Sequence, residues 1–199
     1  MDRTAASALM AYLDRELWLV TSQAGERRGG LIATFVSQAS LVADLPRVLI
    51  GIARQHHTCE LIQASNAFAL HLLGQDNLDW VSHFGLRSGR DVDKFANCPF
   101  TTALTGSPLL EGAVGWLDCE VETRMDSGDR TLYLAQVVQS QVNHSGPPLT
   151  LKQLLERAPV EMLAEMKRLI HRDSQIDAQA IRAWREQQGI TPKGQQQEE

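Results

Sequence analysis

Most features that would name an activity at sight are missing from this chain. It has no excess of positive charge. Nineteen Lys and Arg stand against 24 Asp and Glu, a formal net charge of −5, which leaves no electrostatic footprint for nucleic acid or an anionic membrane surface. No apolar run reaches the ~20 residues that a membrane-spanning helix needs, and the longest are strand-sized. Cysteine is scarce: Cys59, Cys98 and Cys119 form an odd set without C-x-x-C spacing, the pattern of reduced thiols in a cytoplasmic protein. Acidic and basic residues precede any apolar run at the start, so no signal peptide is expected. No glycine-rich dinucleotide fingerprint follows a strand-like segment, which argues against a Rossmann domain. Ser/His/Asp sets and paired carboxylates do not stand out, and hydrolytic chemistry has no support. His56 and His57 are adjacent, but a metal site needs three or four converging ligands, and His71, His83 and His144 are scattered. No metal is expected.

What is present suits one compact domain with an appendage. The chain has 199 residues, 43% of them hydrophobic and 22% charged, enough for a real core. Residues 4–15 carry Leu9, Met10, Tyr12 and Leu13 at helical spacing, and residues 17–21 read as a first strand. Residues 23–30 form a polar turn whose Arg27 and Arg28 sit in water, and residues 48–52 form a strongly apolar strand. A helix over 59–64 and a strand over 68–73 follow, then a helix with Leu78, Val81 and Phe84 capped by Asn77. Residues 85–108 are irregular, and a loop of that length inside a compact domain is often functional. Its Asp93-Lys94-Phe95 offers an ammonium and a ring to a ligand. Residues 117–125 alternate cleanly, with Leu117, Cys119, Val121, Thr123 and Met125 on one face, and residues 131–142 return as the hairpin partner.

Asn143-His144-Ser145-Gly146-Pro147-Pro148 is a breaker cluster. It divides the chain into a β domain over 1–145 and a helical arm over 146–190. Three short amphipathic helices are expected in the arm: one around Leu151, Leu154 and Leu155, one from Met162 to Ile170, and one carrying Ile176 and Trp184 after the cap candidate Ser174. Residues 191–199 are Gln- and Glu-rich and read as disordered.

One stretch organises the rest: Gly29-Gly30-Leu31-Ile32-Ala33-Thr34-Phe35-Val36-Ser37-Gln38-Ala39-Ser40-Leu41. A strand that only builds core alternates large apolar with polar residues. This one keeps Ala33, Thr34, Ser37 and Ser40 small, which leaves its backbone groups accessible to something flat. It is answered by Ala53-Arg54-Gln55-His56-His57-Thr58, where a strand ends in a cation and a hydroxyl. Thr58 there reads as the N-cap of the next helix, a place suited to a phosphate.

These segments, in this order, resemble the flavin reductase-like family with the FMN-binding split barrel. The resemblance continues through Phe68-Ala69-Leu70-His71, Asp93-Lys94-Phe95-Ala96, Leu110-Glu111-Gly112-Ala113 and Gly128-Asp129, covering roughly residues 8–140. It implies a mainly antiparallel split β-barrel with a few helices, here followed by the helical extension. It implies bound FMN, with Ile32, Ala33, Thr34 and Phe35 along the isoalloxazine and ribityl chain. Ala53, Arg54, Gln55 and Thr58 would lie at the phosphate, with Lys94 and Phe95 closing from the loop. FAD is less favoured, because no second basic or glycine-rich segment offers itself to an adenosine diphosphate. The implied activity is that of an oxidoreductase, in which NAD(P)H or a protein donor feeds the flavin and an acceptor drains it, in a homodimer. The alternative is a flavin carrier, store or electron-transfer protein without NAD(P)H turnover. One departure favours that alternative. Where many family members read Gly-Asp-His, with the histidine near the nicotinamide, this chain reads Gly128-Asp129-Arg130, and the usual Gly-Glu further on is Ala135-Gln136. Arg130 is thus the candidate nicotinamide contact.

Overall fold

The computed structural model describes residues 5–190, so the tail expected to be disordered lies outside the described residues. Among the described residues nine strands and five helices follow one another. A short helix α1 (Ala5–Met10) leads into β1 (Trp18–Ala24) and β2 (Arg27–Ala33), a hairpin whose turn places Gly25 at φ +60°. Then come β3 (Val36–Gln38), β4 (Arg47–Ala53), α2 (His57–Ser65), β5 (Ala67–Leu72) and α3 (Leu78–Gly85). The irregular stretch holds a small ladder of β6 (Thr101–Thr102) with β7 (Pro108–Leu109). The long hairpin β8 (Gly115–Asp126) and β9 (Arg130–Val142) precedes α4 (Leu151–Arg157) and α5 (Val160–Gln187).

Seven strands form one antiparallel sheet in the order β2-β1-β5-β8-β9-β4-β3. Its two edge strands are neighbours in sequence, separated only by Thr34 and Phe35. The chain leaves one edge and joins the other within two residues, so the sheet has curled until its edges nearly meet. This is the split barrel, and the organising stretch is the segment that closes it.

Two apolar clusters hold it together. The inner one fills the barrel with Val20, Ile50, Ile52, Phe68, Leu70 and Tyr133, together with Cys59 and Ile62 from α2. The outer one packs α3, the 93–110 stretch and the start of the arm against β1, through Leu19, Phe84, Phe95, Leu110, Leu154 and Met162. Each fully buried Leu, Ile or Phe contributes roughly 1.5–3 kcal/mol over leaving it in water. His71 is buried between the two clusters. Leu110 N–H donates to its Nε2 at 3.0 Å, so Nδ1 carries the proton and donates to the Leu19 carbonyl at 3.2 Å. Burial holds its pKa down to about 4.

The structure departs from the sequence expectations in four places. The clean alternation of the 117–125 strand is broken by register shifts at Asp118/Cys119 and Val121/Thr123. Asp118, expected on the polar face, is fully buried and accepts from the N–H and hydroxyl of Thr105. Thr58 is not the cap of α2; His56 occupies that position with extended backbone and no side-chain cap, and Thr58 lies inside the first turn. Asn77 precedes α3 without capping it, because its Oδ1 accepts from Gly74 N–H instead. In the arm the second and third expected helices are one, α5, of 28 residues. Ser174 lies mid-helix, where its hydroxyl donates to the His171 carbonyl rather than starting a new helix.

Candidate functional site

A cavity of about 670 Å³ lies between β2, the start of α2, the loop after α3 and the flank of α5. Each wall follows from the fold. As an edge strand, β2 pairs only with β1, so the groups along its other side have no ladder partner. Leu31 and Ile32 line the cavity from that edge. Packed against β2, α2 starts after His56 without a side-chain cap, and Gln55, His56, His57 and Thr58 line the space. An uncapped helix start presents N–H groups and the positive end of the helix dipole.

Lys94 is among the residues lining the cavity and supports β2 there. It is 5% exposed, and its ammonium donates to the carbonyls of Gly30 (2.8 Å) and Phe84 (2.7 Å). Burial lowers its pKa to about 8. The ammonium therefore ties the edge strand to α3. Phe95, expected to close over a ligand, belongs instead to the outer core, with its ring centroid 5.5 Å from those of Phe84 and of Phe100.

The histidine pair is neutral in character. Burial lowers the pKa of His56, with Asp173 pulling it up and Arg130 pushing it down. Burial also lowers that of His57, with Glu60 opposing and Arg90 assisting. The His57 ring is seated between two glycines: a Cβ on Gly89 would stand 2.9 Å from its Nδ1, and one on Gly29 would stand 3.2 Å away. That Nδ1 is buried against these glycines without a hydrogen-bond partner, while His57 is one of the residues lining the cavity.

The remaining residues singled out from the sequence are distributed less evenly. Ala33 and Ala53 are buried, Thr34 is partly so, and none of the three lines the cavity. Arg54 turns away to pair with Asp126 at 3.0 Å. Arg90, which the sequence did not single out, takes the place expected of Arg54. Its guanidinium donates to the Gln55 carbonyl at 2.7 Å and pairs with Glu60 beside the start of α2. Phe35 is half exposed, with the guanidinium of Arg130 4.7 Å and that of Arg15 5.4 Å from its ring centre. Arg130 is also bound to Asp129 at 3.1 Å and Asp177 at 3.0 Å. Among the described residues no three His, Cys, Asp or Glu converge as a metal site would require, and no helix is long and apolar enough to cross a membrane.

The geometry thus offers an uncapped helix start and a free strand edge lining one cavity. The model of the flavin reductase like domain matches residues 10–154. The chain belongs to that family. Among curated relatives, diflavin flavoprotein A 1 of Synechocystis sp. is 34% identical over 127 residues, which is 63% of this chain and 22% of that protein. The high molecular weight rubredoxin of Moorella thermoacetica is 29% identical over 136 residues, 67% of this chain and 58% of that protein. The chain thus spans less than two thirds of either relative. In structure it is similar to the FMN-binding protein from Thermus thermophilus with bound p-hydroxybenzaldehyde. The TM-score is 0.61 and the identity 27%, covering 66% of this chain and 73% of that one. The family match ends within α4, so α5 and the side chains it adds to the cavity lie outside it.

Proposed function

We propose that this chain binds FMN in the cavity beside β2 and passes electrons through it from a nicotinamide or protein donor to an acceptor. The observation that carries this reading is that the uncapped start of α2 and the free edge of β2 line one cavity, in a chain of the flavin reductase-like family. Gln55, His57 and Thr58, with the Arg90 guanidinium, would hold the phosphate by charge-assisted bonds and helix N–H groups. The backbone along Gly30, Leu31 and Ile32, which line the cavity, would offer donors and acceptors to the ring edge. FMN rather than FAD suits a site with one compact phosphate end. Bound FMN supplies reversible two-electron and one-electron redox chemistry. The protein binds and orients it, with Lys94 fixing the β2 edge.

A second reading has its own support. Arg130 stands where many family members carry histidine, and two carboxylates and the Phe35 ring already engage it. That commitment favours an electron carrier fed by a protein, with little nicotinamide turnover, and the relatives named for flavins and rubredoxin accord with it. We further propose a homodimer. Leu41, Val42 and Leu45 are exposed beside a groove of about 660 Å³ lined by Trp18, Val36 and Leu117, an apolar surface on which a second copy would fit.

The visible spectrum and the mass of the cofactor released from purified protein test the first reading. A flavin spectrum with FMN released is expected. FAD at full occupancy would overturn the choice of FMN, and no uptake of either flavin would overturn the reading itself. Rapid mixing of oxidised holoprotein with NADH and NADPH then separates the reductase from the carrier, and light scattering tests the dimer.

A further inference from the structure

Asp177 ties α5, a helix beyond the family match, to the barrel beside the cavity. Its Oδ1 accepts from Gln55 Nε2 at 3.0 Å, and its Oδ2 accepts from Arg130 Nη2 at 3.0 Å. Its side chain is 15% exposed. Gln55 belongs to the turn between β4 and α2, at the end assigned to the phosphate. Arg130 opens β9, where it pairs with Ala53 at the end of β4, and lies over Phe35. One carboxylate therefore ties α5 to both chain segments at this corner of the barrel.

The rest of α5 shows why that bridge has leverage. The helix is anchored at its start by Met162, which is in the outer core and is its one buried residue. Near its end Trp184 covers the β8–β9 turn, so closely that a Cβ on Gly128 would stand 2.7 Å from the Trp184 Cβ. Between these anchors Leu169, Arg172, Asp173 and Ile176 form the outer wall of the cavity. That span is held by polar bonds rather than by buried apolar area, and elements held in this way open at low free energy.

We propose that Asp177 is a positioning residue that latches α5 over the cavity, so that flavin bound there is retained as a resident group rather than exchanged as a diffusing substrate. This rests on the flavin reading above. The latch acts through Gln55 and Arg130. Both entry and exit of the flavin require these two bonds to break, and their loss raises both rates while moving the equilibrium affinity much less.

The test is stopped-flow fluorescence of FMN uptake by apoprotein and of FMN release into excess scavenging apoflavoprotein. Wild type is compared with Asp177→Ala, Asp177→Asn and Trp184→Ala, each checked for an unchanged circular dichroism spectrum. Asp177→Ala is expected to speed both uptake and release by roughly tenfold or more, the scale of losing a charge-assisted bond from the closed state. Asp177→Asn, which keeps an acceptor for Gln55, should fall between. Trp184→Ala should give the same two-rate signature by loosening the other anchor, and it decides the question if Asp177→Ala does not fold. Faster release with unchanged uptake would show a lost binding contact and overturn the latch. Unchanged rates in both variants would overturn it while leaving the flavin reading intact. Wild-type protein that takes up neither FMN nor FAD would overturn both.

Discussion

The two walls of the cavity are held by opposite means. On the barrel side, Thr58, Lys94 and the backbone of β2 are fixed by burial, by the ammonium on two carbonyls, and by a ladder to β1. On the helical side, α5 contributes one buried residue, Met162, and reaches the barrel through Asp177 and Trp184. A wall made of buried backbone determines what shape can bind. A wall made of partly exposed side chains on a long helix determines how readily the site opens. The first is expensive to disturb and the second is not, so the contrast can be broken from either side.

The largest effect is expected at Lys94. Lys94→Met leaves the carbonyls of Gly30 and Phe84 buried without a donor and should cost about 2–4 kcal/mol in urea denaturation. A loss below 1 kcal/mol would mean that the barrel wall is not the rigid one. The pH dependence sharpens this. In the unfolded chain the lysine keeps its proton to about pH 10.5, whereas in the fold it releases it near pH 8. Between these values the unfolded state binds more protons, so stability rises with pH. Wild type should gain on Lys94→Met from pH 8 to 10.5, and parallel pH profiles would contradict that.

The next effect separates two arginines that are one residue type in sequence but face different ways. Arg90→Ala should weaken FMN binding by roughly 1.5–3 kcal/mol, the scale of a charge-assisted hydrogen bond. Arg54→Ala removes an exposed pair with Asp126 and should change affinity by less than about 1 kcal/mol. Titration of apoprotein reads both, and the reverse order would place the phosphate on the other side of the α2 start.

The smallest effect is expected on the helical wall. Gly128 has φ +95° and lies under Trp184, so Gly128→Ala brings both strain and a clash. It should destabilise the protein by about 1–2 kcal/mol and raise amide exchange in the C-terminal half of α5, while β2 exchange stays as in wild type. Equal loss of protection in both walls would erase the distinction between them.

Local pattern carried much of the barrel. The strands β8, β4 and β2 lie near where their sequences place them, because strand period and turn chemistry are short-range properties, although register shifts break the expected alternation of β8. The small residues after Gly30 were read as opening backbone to something flat, and that Thr34 and Phe35 link the sheet's two edges came from the structure. The pattern was misleading where a side chain's partner is distant. Phe95 sits in a loop-like stretch yet packs in the core, and Thr58 looks like a cap although the turn before it places His56 there. Arg90 carried no periodic signal at all, and only the approach of its loop to α2 sets it beside Gln55.

The sequence by itself determined which stretches are strands and their order along the chain, since each depends on neighbours a few residues apart, while its resemblance to the flavin reductase-like family implied the barrel. Only the tertiary structure decided which stretch links the sheet's edges and that the second and third helices expected in the arm run as one, α5, along the barrel. It also decided that Asp177 meets Gln55 and Arg130, 122 and 47 residues away in sequence. The physical reason is range. Hydrophobic period and capping are local preferences, whereas a hydrogen bond between distant side chains exists only once packing has brought their elements together.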